Sequence, residues 1–255
     1  MIRFLEENEK ETSRNLYETV FDDPDSFVDY YYKERICNRE ILVEERDGQI
    51  CGMVHLCKKK MLLFGKTVAA CYFYAVATKE EYRHQGIMSG LLTFAKNWAE
   101  EKGFAFCYLI PENPAVYKKS GFVSVGKRYK KHSLVCKETH LRVVDKDLRD
   151  EKELSLLSMG LLEGVNLATV RDEEYFKKIL RQYQVEGTRI ELLTDGRLFG
   201  YRTVNEGDVL EEIYPKEWEH LRLLTEEANS IMIYADQPFW TDTENDFQVL
   251  INEEV

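Results

Sequence analysis

The chain has 255 residues, 44% hydrophobic and 32% charged, enough for one large or two modest domains with real cores. Its net charge of −11 is uneven: residues 137–255 hold 14 basic and 27 acidic residues and residues 1–136 hold 21 and 19, which argues against nucleic acid as the main partner. No apolar run of about 18 residues marks a membrane span, Met1–Asn8 lacks a signal-peptide core, and six cysteines without a Cys-x-x-Cys pair fit free thiols in a reducing cytoplasm.

Residues 9–21 and 24–36 read as two helices, the second opened by Asp23-Pro24 as cap and first helical residue. Its Phe27, Tyr30 and Tyr31 form an aromatic face suited to packing on a sheet. Ile41–Arg46 and Gln49–Leu56 read as strands joined at the hairpin signal Asp47-Gly48. Lys58-Lys59-Lys60 reads as a solvated turn, with Met61–Leu63 extending the hairpin towards Gly65. Cys51, His55 and Cys57 have even spacing and so share one strand face, but too few further ligands are at hand to assign a metal. Val68–Val76 reads as a buried central strand, and Ile87, Leu91, Phe94, Ala95 and Trp98 recur at helical spacing up to a cap at Gly103. Phe104–Ile110 is another apolar strand. A short helix follows, and strands at about Val123–Tyr129 and His132–Val143 finish an antiparallel end of the sheet.

A boundary is expected near 144, dividing 1–144 from 145–255. The second part repeats the pattern: helices over 150–164 and 171–184, strands Ile190–Leu193 and Leu198–Thr203 around Asp195-Gly196, a strand Val209–Tyr214, a helix over 216–229 and a strand Ile231–Ala235. Asp47-Gly48-Gln49-Ile50-Cys51-Gly52 and Asp195-Gly196-Arg197-Leu198-Phe199-Gly200 share one spacing in equivalent places, which reads as a degenerate second copy of one fold.

Strand, charged turn, glycine and helix meet at Val76–Leu92. A helix start presents unpaired N–H groups and the positive end of the dipole, which suits a phosphate, and Gly86 lets the backbone come close to it. The equivalent junction of the second copy, Tyr214-Pro215-Lys216-Glu217-Trp218-Glu219, has no glycine and carries carboxylates that repel a pyrophosphate. Arg83-His84-Gln85-Gly86-Ile87-Met88, with Ala77-Thr78 before it and Ser89-Gly90-Leu91-Leu92 after it, resembles the Arg/Gln-x-x-Gly-x-Gly/Ala signature of the GNAT superfamily of CoA-dependent N-acyltransferases. Met88 departs from that signature. Larger residues there, and a tandem arrangement, look like the enhanced-intracellular-survival branch, whose third domain finds no room in 255 residues. Tyr117-Lys118-Lys119-Ser120-Gly121-Phe122 is similar to the Tyr-x-x-x-Gly-Phe element whose tyrosine protonates the departing CoA thiolate.

The resemblance implies an α/β (α+β) fold, a mixed, mostly antiparallel sheet flanked by helices, with the cosubstrate acetyl-CoA bound by the first domain only. Val76, Ala77 and Thr78 would pair with the pantetheine arm, and Arg83, His84, Gln85, Gly86, Ile87, Met88 and Ser89 would cradle the pyrophosphate, with Asn113 as a further contact. Tyr117 would act as general acid, since a phenol of pKa near 10 is protonated at pH 7. The central strand offers Tyr72, Phe73 and Tyr74 but no carboxylate. Glu34, Glu112, His55, a water relay and the terminal carboxylate of Val255 all stand as candidates for the base. The expected reaction is acetyl transfer to a primary amine, of a small molecule or of a lysine or N-terminus. The acidic half suits a cationic acceptor and equally the ordinary solvation of a surface. A CoA-binding regulatory module without turnover is the alternative. No metal, nucleic acid or membrane partner is expected, and the oligomeric state is not legible.

Overall fold

The computed structural model describes residues 1–129, 132–134, 142–160, 162, 165–194, 196, 199–204, 210–214, 223–225, 228–235 and 249–250. It falls into two compact units. The first is Met1–Gly126 with a returning segment from Ser230, and the second is Lys127–Asn229 with Gln248–Glu254. The contacts therefore divide the chain at Gly126, before the expected 144, and give the first unit a strand from far downstream.

In chain order the first unit holds β1 (Ile2–Phe4), α1 (Glu11–Val20), α2 (Asp25–Tyr30), β2 (Ile41–Arg46), β3 (Gln49–Leu63), β4 (Lys66–Thr78), α3 (Ile87–Glu101), β5 (Phe106–Leu109), α4 (Ala115–Lys118) and the start of β6 (Val123–Tyr129). The expected helix over 24–36 stops at Tyr30 and widens into a π-turn, Tyr31–Arg35, closed by Ile36 N–H donating to Tyr31 O. Asp47 and Gly48 have φ of 50° and 73°, the left-handed pair that a two-residue hairpin needs. The lysine run forms no turn. β3 and β4 stay paired past Lys58↔Cys71 to Leu63↔Lys66, and the chain reverses at Phe64-Gly65, again with both φ positive. A lysine stem can lie along a strand, and Lys59 Nζ stands 5.7 Å from the Tyr72 ring centroid, so charge alone did not mark a loop.

The second unit holds β7 (His132–Leu134), β8 (Arg142–Asp145), α5 (Glu151–Gly160), β9 (Leu167–Thr169), α6 (Glu173–Glu186), β10 (Arg189–Thr194), β11 (Phe199–Val204), β12 (Leu210–Tyr214) and β13 (Leu223–Thr225). Two later strands follow, β14 (Ala228–Tyr234) and β15 (Val249–Leu250). The 6-stranded sheet of this unit runs β13-β7-β12-β11-β10-β8, and β15 pairs in parallel with β9. Two expectations are corrected here. The strand expected over His132–Val143 is two separate strands, and the first of them joins this sheet. Leu223–Thr225, expected within a helix, is a strand paired with β7. Positions 215–222 lie outside the described residues.

The sheet of the first unit runs β1-β2-β3-β4-β5-β14-β6. Along this path β1–β2, β2–β3, β3–β4 and β5–β14 pair antiparallel, and β4–β5 pairs in parallel. β1 was not foreseen, being three residues long. β14, expected to close the second copy, pairs with β5 instead (Met232↔Leu109, Tyr234↔Cys107). The fold is thus the expected mixed α/β arrangement, a mostly antiparallel sheet flanked by helices.

One face of this sheet takes α3. Ile87, Leu91, Leu92, Ala95 and Ala99 bury against Leu42, Val54, Leu56, Cys71, Phe73 and Leu109. Glycine at 52 permits that approach: a Cβ there would stand 2.6 Å from Ile87 Cγ2 and 3.1 Å from Ala77 O. The other face is aromatic, with Tyr17 of α1 and Tyr31 after α2 stacked on His55 of β3. Cys51 belongs to the α3 face and His55 to the aromatic one. A bulge explains it: Glu44 faces Gly52 and Glu45 faces Ile50, leaving Cys51 as the extra residue that switches the alternation. The even spacing of Cys51 and His55 therefore does not bring them together.

Candidate active site

The parallel pair β4 and β5 fixes the site. Their pairing runs Ala70↔Phe106, Cys71↔Cys107, Tyr72↔Tyr108 and no further, while β4 continues to Thr78. β4 is bulged in the stretch that β5 leaves bare. Met53 pairs with Ala77 and His55 with Tyr74, so Val54 opposes both Ala75 and Val76. Ala75 carries a φ of 48°, a strained value for a residue with a Cβ. Beyond this bulge, Val76, Ala77 and Thr78 belong to the stretch of β4 that has no partner in β5. Val76 and Thr78 are half-buried and Ala77 buried. The Thr78 hydroxyl oxygen is buried and has no hydrogen-bond partner, an open valence for a ligand.

The loop after β4 leads into α3. Arg83 Nε donates to Thr78 O at 3.4 Å, and Gln85 is held from both sides, accepting from Arg46 Nη1 at 2.8 Å and donating to Glu81 O at 3.1 Å. His84 and Gly86 have φ of 61° and 81°. Left-handed residues alternating with ordinary ones turn successive N–H groups to one side, the concave arrangement that holds anions. Nothing lies within 4 Å of a Cβ built on Gly86, so the space above it is open. Arg83, His84, Gln85 and Ser89 are exposed, and Met88 packs at the edge of the α3 core. The Ile87 side chain is buried in that core, leaving only its backbone for the loop.

Tyr117 lies beyond the carboxyl end of β5, as the glycine loop lies beyond that of β4. It is half-buried, with its ring edge-on to Phe122. Burial, aided by the charge of Glu112, pushes its phenol up to about 12. Lys96 of α3 anchors the following turn by donating to Ser120 O at 2.6 Å, with its ammonium 4.1 Å from the Tyr234 ring centroid. Asn113 uses its side-chain oxygen to accept from Ala115 N–H at the start of α4. The structure thus gathers Thr78 and residues 83–89 around one loop. It sets Tyr117 at the same end of the parallel pair.

Among the base candidates, Glu34 and Glu112 are exposed, and Val255 lies outside the described residues. His55 is fully buried, and burial lowers its pKa to about 3, too weak a base for work at neutral pH. Sequence reasoning missed Asp23, Tyr17 and Tyr74. Tyr74 stands one residue before the bulge, half-buried where its neighbour Tyr72 is buried. Tyr17 Oη donates to Asp23 Oδ2 at 2.6 Å and is hydrogen-bonded to Tyr74 Oη. Asp23-Pro24 carried a visible signal only as a helix start. Among the described residues no cluster of three or more His, Cys, Asp or Glu is placed to hold a metal, and no helix is long and apolar enough to cross a membrane.

Residues 1–125 match the family model of the acetyltransferase (GNAT) domain. A GCN5-related N-acetyltransferase from Kribbella flavida aligns over 92% of this chain and 70% of its own, at TM-score 0.72 and 14% identity. Another from Anabaena variabilis aligns over 92% and 72%, at 0.70 and 13%. Eis1 from Mycobacterium abscessus aligns over 80% of this chain and 52% of its own, at 0.57 and 12%. Identities this low speak for a shared fold. No curated protein matches.

Proposed function

We propose that the GNAT acetyltransferase domain of residues 1–125 transfers an acetyl group from acetyl-CoA to a primary amine. One observation carries the reading. Pairing of the parallel strands stops at Tyr72↔Tyr108, and a bulge and a left-handed glycine loop follow on the strand that continues. In this reading the pantetheine arm lies beside the stretch of β4 that β5 does not cover and pairs with the backbone of Val76, Ala77 and Thr78. The Thr78 hydroxyl gains a partner there. The N–H groups from His84 to Ser89 take the pyrophosphate at the positive end of α3.

Such a cosubstrate brings an acyl thioester, and the chain supplies position and protons. Attack by the neutral amine gives a tetrahedral carbon with a positive nitrogen; that nitrogen loses its extra proton to solvent, and collapse re-forms the carbonyl and breaks the C–S bond. Tyr117 donates its phenolic proton to the sulfur as it leaves and is reprotonated from water. Its raised pKa keeps it in the donating form at neutral pH. Lys96, by holding the carbonyl of Ser120, keeps the turn after Tyr117 in place.

The second unit is read as a degenerate copy without a CoA site, in the manner of the tandem enhanced-survival enzymes. What supports this is its repeated antiparallel hairpin, β10 with β11, closed at a left-handed Gly196. Its counterpart of the glycine loop, from Pro215 on, lies outside the described residues. The reading also places the protein in the cytoplasm. Calorimetric titration with acetyl-CoA tests it together with an assay of CoA thiol release over a panel of primary amines. One site per chain and amine-dependent release are expected. Two equivalent sites would end the degenerate-copy reading, and binding without release for any amine would leave a regulatory module.

A further inference from the structure

Acetyl transfer needs a base, because an aliphatic amine reaches the site mostly as its ammonium and attacks only as the neutral form. Among the described candidates from the sequence, His55 is too weak a base and Glu34 and Glu112 are exposed to solvent. The aromatic face of the sheet holds an arrangement that fits the task. Tyr74 lies next to the bulged Ala75, on the strand segment that β5 leaves bare. Its hydroxyl meets that of Tyr17, and the Tyr17 hydroxyl donates to Asp23 Oδ2. That bond fixes the direction of the chain. With its own proton committed to the carboxylate, Tyr17 oxygen accepts from Tyr74 O–H. The free lone pair of Tyr74 is then left for an incoming N–H.

We propose that Tyr74, Tyr17 and Asp23 form a proton relay that draws the proton from the acceptor ammonium and delivers it to the Asp23 carboxylate. This rests on the acetyl-transfer reading above. In the step an N–H bond breaks and a bond to Tyr74 oxygen forms as the Tyr74 proton passes to Tyr17 and the Tyr17 proton to Asp23. The amine keeps the electron pair that attacks the thioester carbon. Both tyrosines end neutral, and Asp23, half-buried at the mouth of α2, returns its proton to water.

The surroundings favour transfer over storage of charge. Tyr17 is 0% exposed, so water does not short-circuit the middle of the relay. Rings of Phe21, Tyr31, His55 and Tyr72 surround Tyr74. Burial and the neighbouring Asp23 charge hold the phenols of Tyr17 and Tyr74 well above the usual range, so neither rests as phenolate. The other titratable groups acting on Tyr74 are Cys57 and Tyr32. His55 Nδ1 meets Tyr31 Oη at 2.8 Å, and its Nε2 is buried with no hydrogen-bond partner.

The test measures single-turnover acetyl transfer at pH 7 to propylamine, ethanolamine, glycinamide and trifluoroethylamine, in order of falling basicity. It compares the parent with Asp23→Asn, Asp23→Glu, Tyr17→Phe and Tyr74→Phe, with acetyl-CoA affinity checked by calorimetry. Asp23→Asn keeps an oxygen for Tyr17 to donate to and removes the proton acceptor. It should slow transfer to propylamine by about 100-fold or more and transfer to trifluoroethylamine, already neutral at this pH, by only about 3-fold. Tyr17→Phe and Tyr74→Phe should show the same dependence on basicity, and Asp23→Glu should recover most of the rate with acetyl-CoA affinity unchanged throughout. An equal loss for all four amines, or no loss, would overturn the relay while leaving acetyl transfer standing. A parent that binds acetyl-CoA and acetylates none of the four would refute the acetyl-transfer reading, and the relay with it.

Discussion

His55→Asn gives a test of the aromatic face that needs no substrate. His55 is 0% exposed, and its pKa falls from 6.5 to about 3 on burial. The unfolded chain therefore binds a proton near pH 6.5 that the folded chain refuses until far lower. For a pKa depressed by folding, the stability is complete above the unfolded value and is lost as pH falls towards the folded one. At about 1.4 kcal/mol per unit the full window is worth roughly 5 kcal/mol, and about 3 kcal/mol of it lies between pH 7 and pH 4. Asparagine places a polar atom close to where Nδ1 meets Tyr31 Oη and does not titrate. The smaller side chain leaves a cavity whose cost is the same at every pH. Urea unfolding of both proteins, fitted with one transition per unit where two are seen, gives the difference in stability at each pH. The parent's advantage should shrink by about 3 kcal/mol from pH 7 to pH 4. A difference that stays flat would mean that His55 is protonated in the folded protein and the burial argument is wrong.

Gly86→Glu should abolish acetyl-CoA binding and leave the chain folded. A Cβ at Gly86 meets nothing within 4 Å, so the cost to the fold is the left-handed backbone, about 1–2 kcal/mol, and calorimetry that finds parent-like binding would place the phosphate site elsewhere. Tyr117→Phe should slow single-turnover acetyl transfer by about 100- to 10,000-fold with cofactor affinity nearly unchanged. Because folding raises the Tyr117 phenol to about 12, the parent rate should show no alkaline fall centred at the ordinary tyrosine value near pH 10. Such a fall, absent from the Tyr117→Phe variant, would show that the phenol is not shielded as the structure has it.

The α3 side of the molecule was largely legible. A helix that buries Ile87, Leu91 and Ala95 writes a 3.6-residue period into the sequence, and Asp47-Gly48 writes its turn in two residues. Gly86 was legible because its left-handed backbone admits few other residues. The lysine run was not, since Lys58–Lys60 sit in a long antiparallel arm whose strand character comes from the partner and not from the lysines. Nor was the course of β14, because nothing local says which sheet a strand joins.

The relay was hidden for a further reason. Its members stand at 17, 23 and 74, and only the fold of α1 against the sheet brings Tyr17 to Tyr74. Each has an ordinary local reading: a helix-face tyrosine, a residue expected to cap α2 although the structure places the cap at Pro24, and a strand tyrosine. Motif reading finds chemistry that adjacent residues share, as in the glycine loop, where the proposed binding is by the backbone. Proton transfer between side chains asks only for short oxygen–oxygen separations, which any two elements can supply. A central strand without a carboxylate does not by itself exclude turnover. A tyrosine at position 74 can reach a carboxylate through one more hydroxyl, and substituting Asp23 tests that idea with no change to the strand itself.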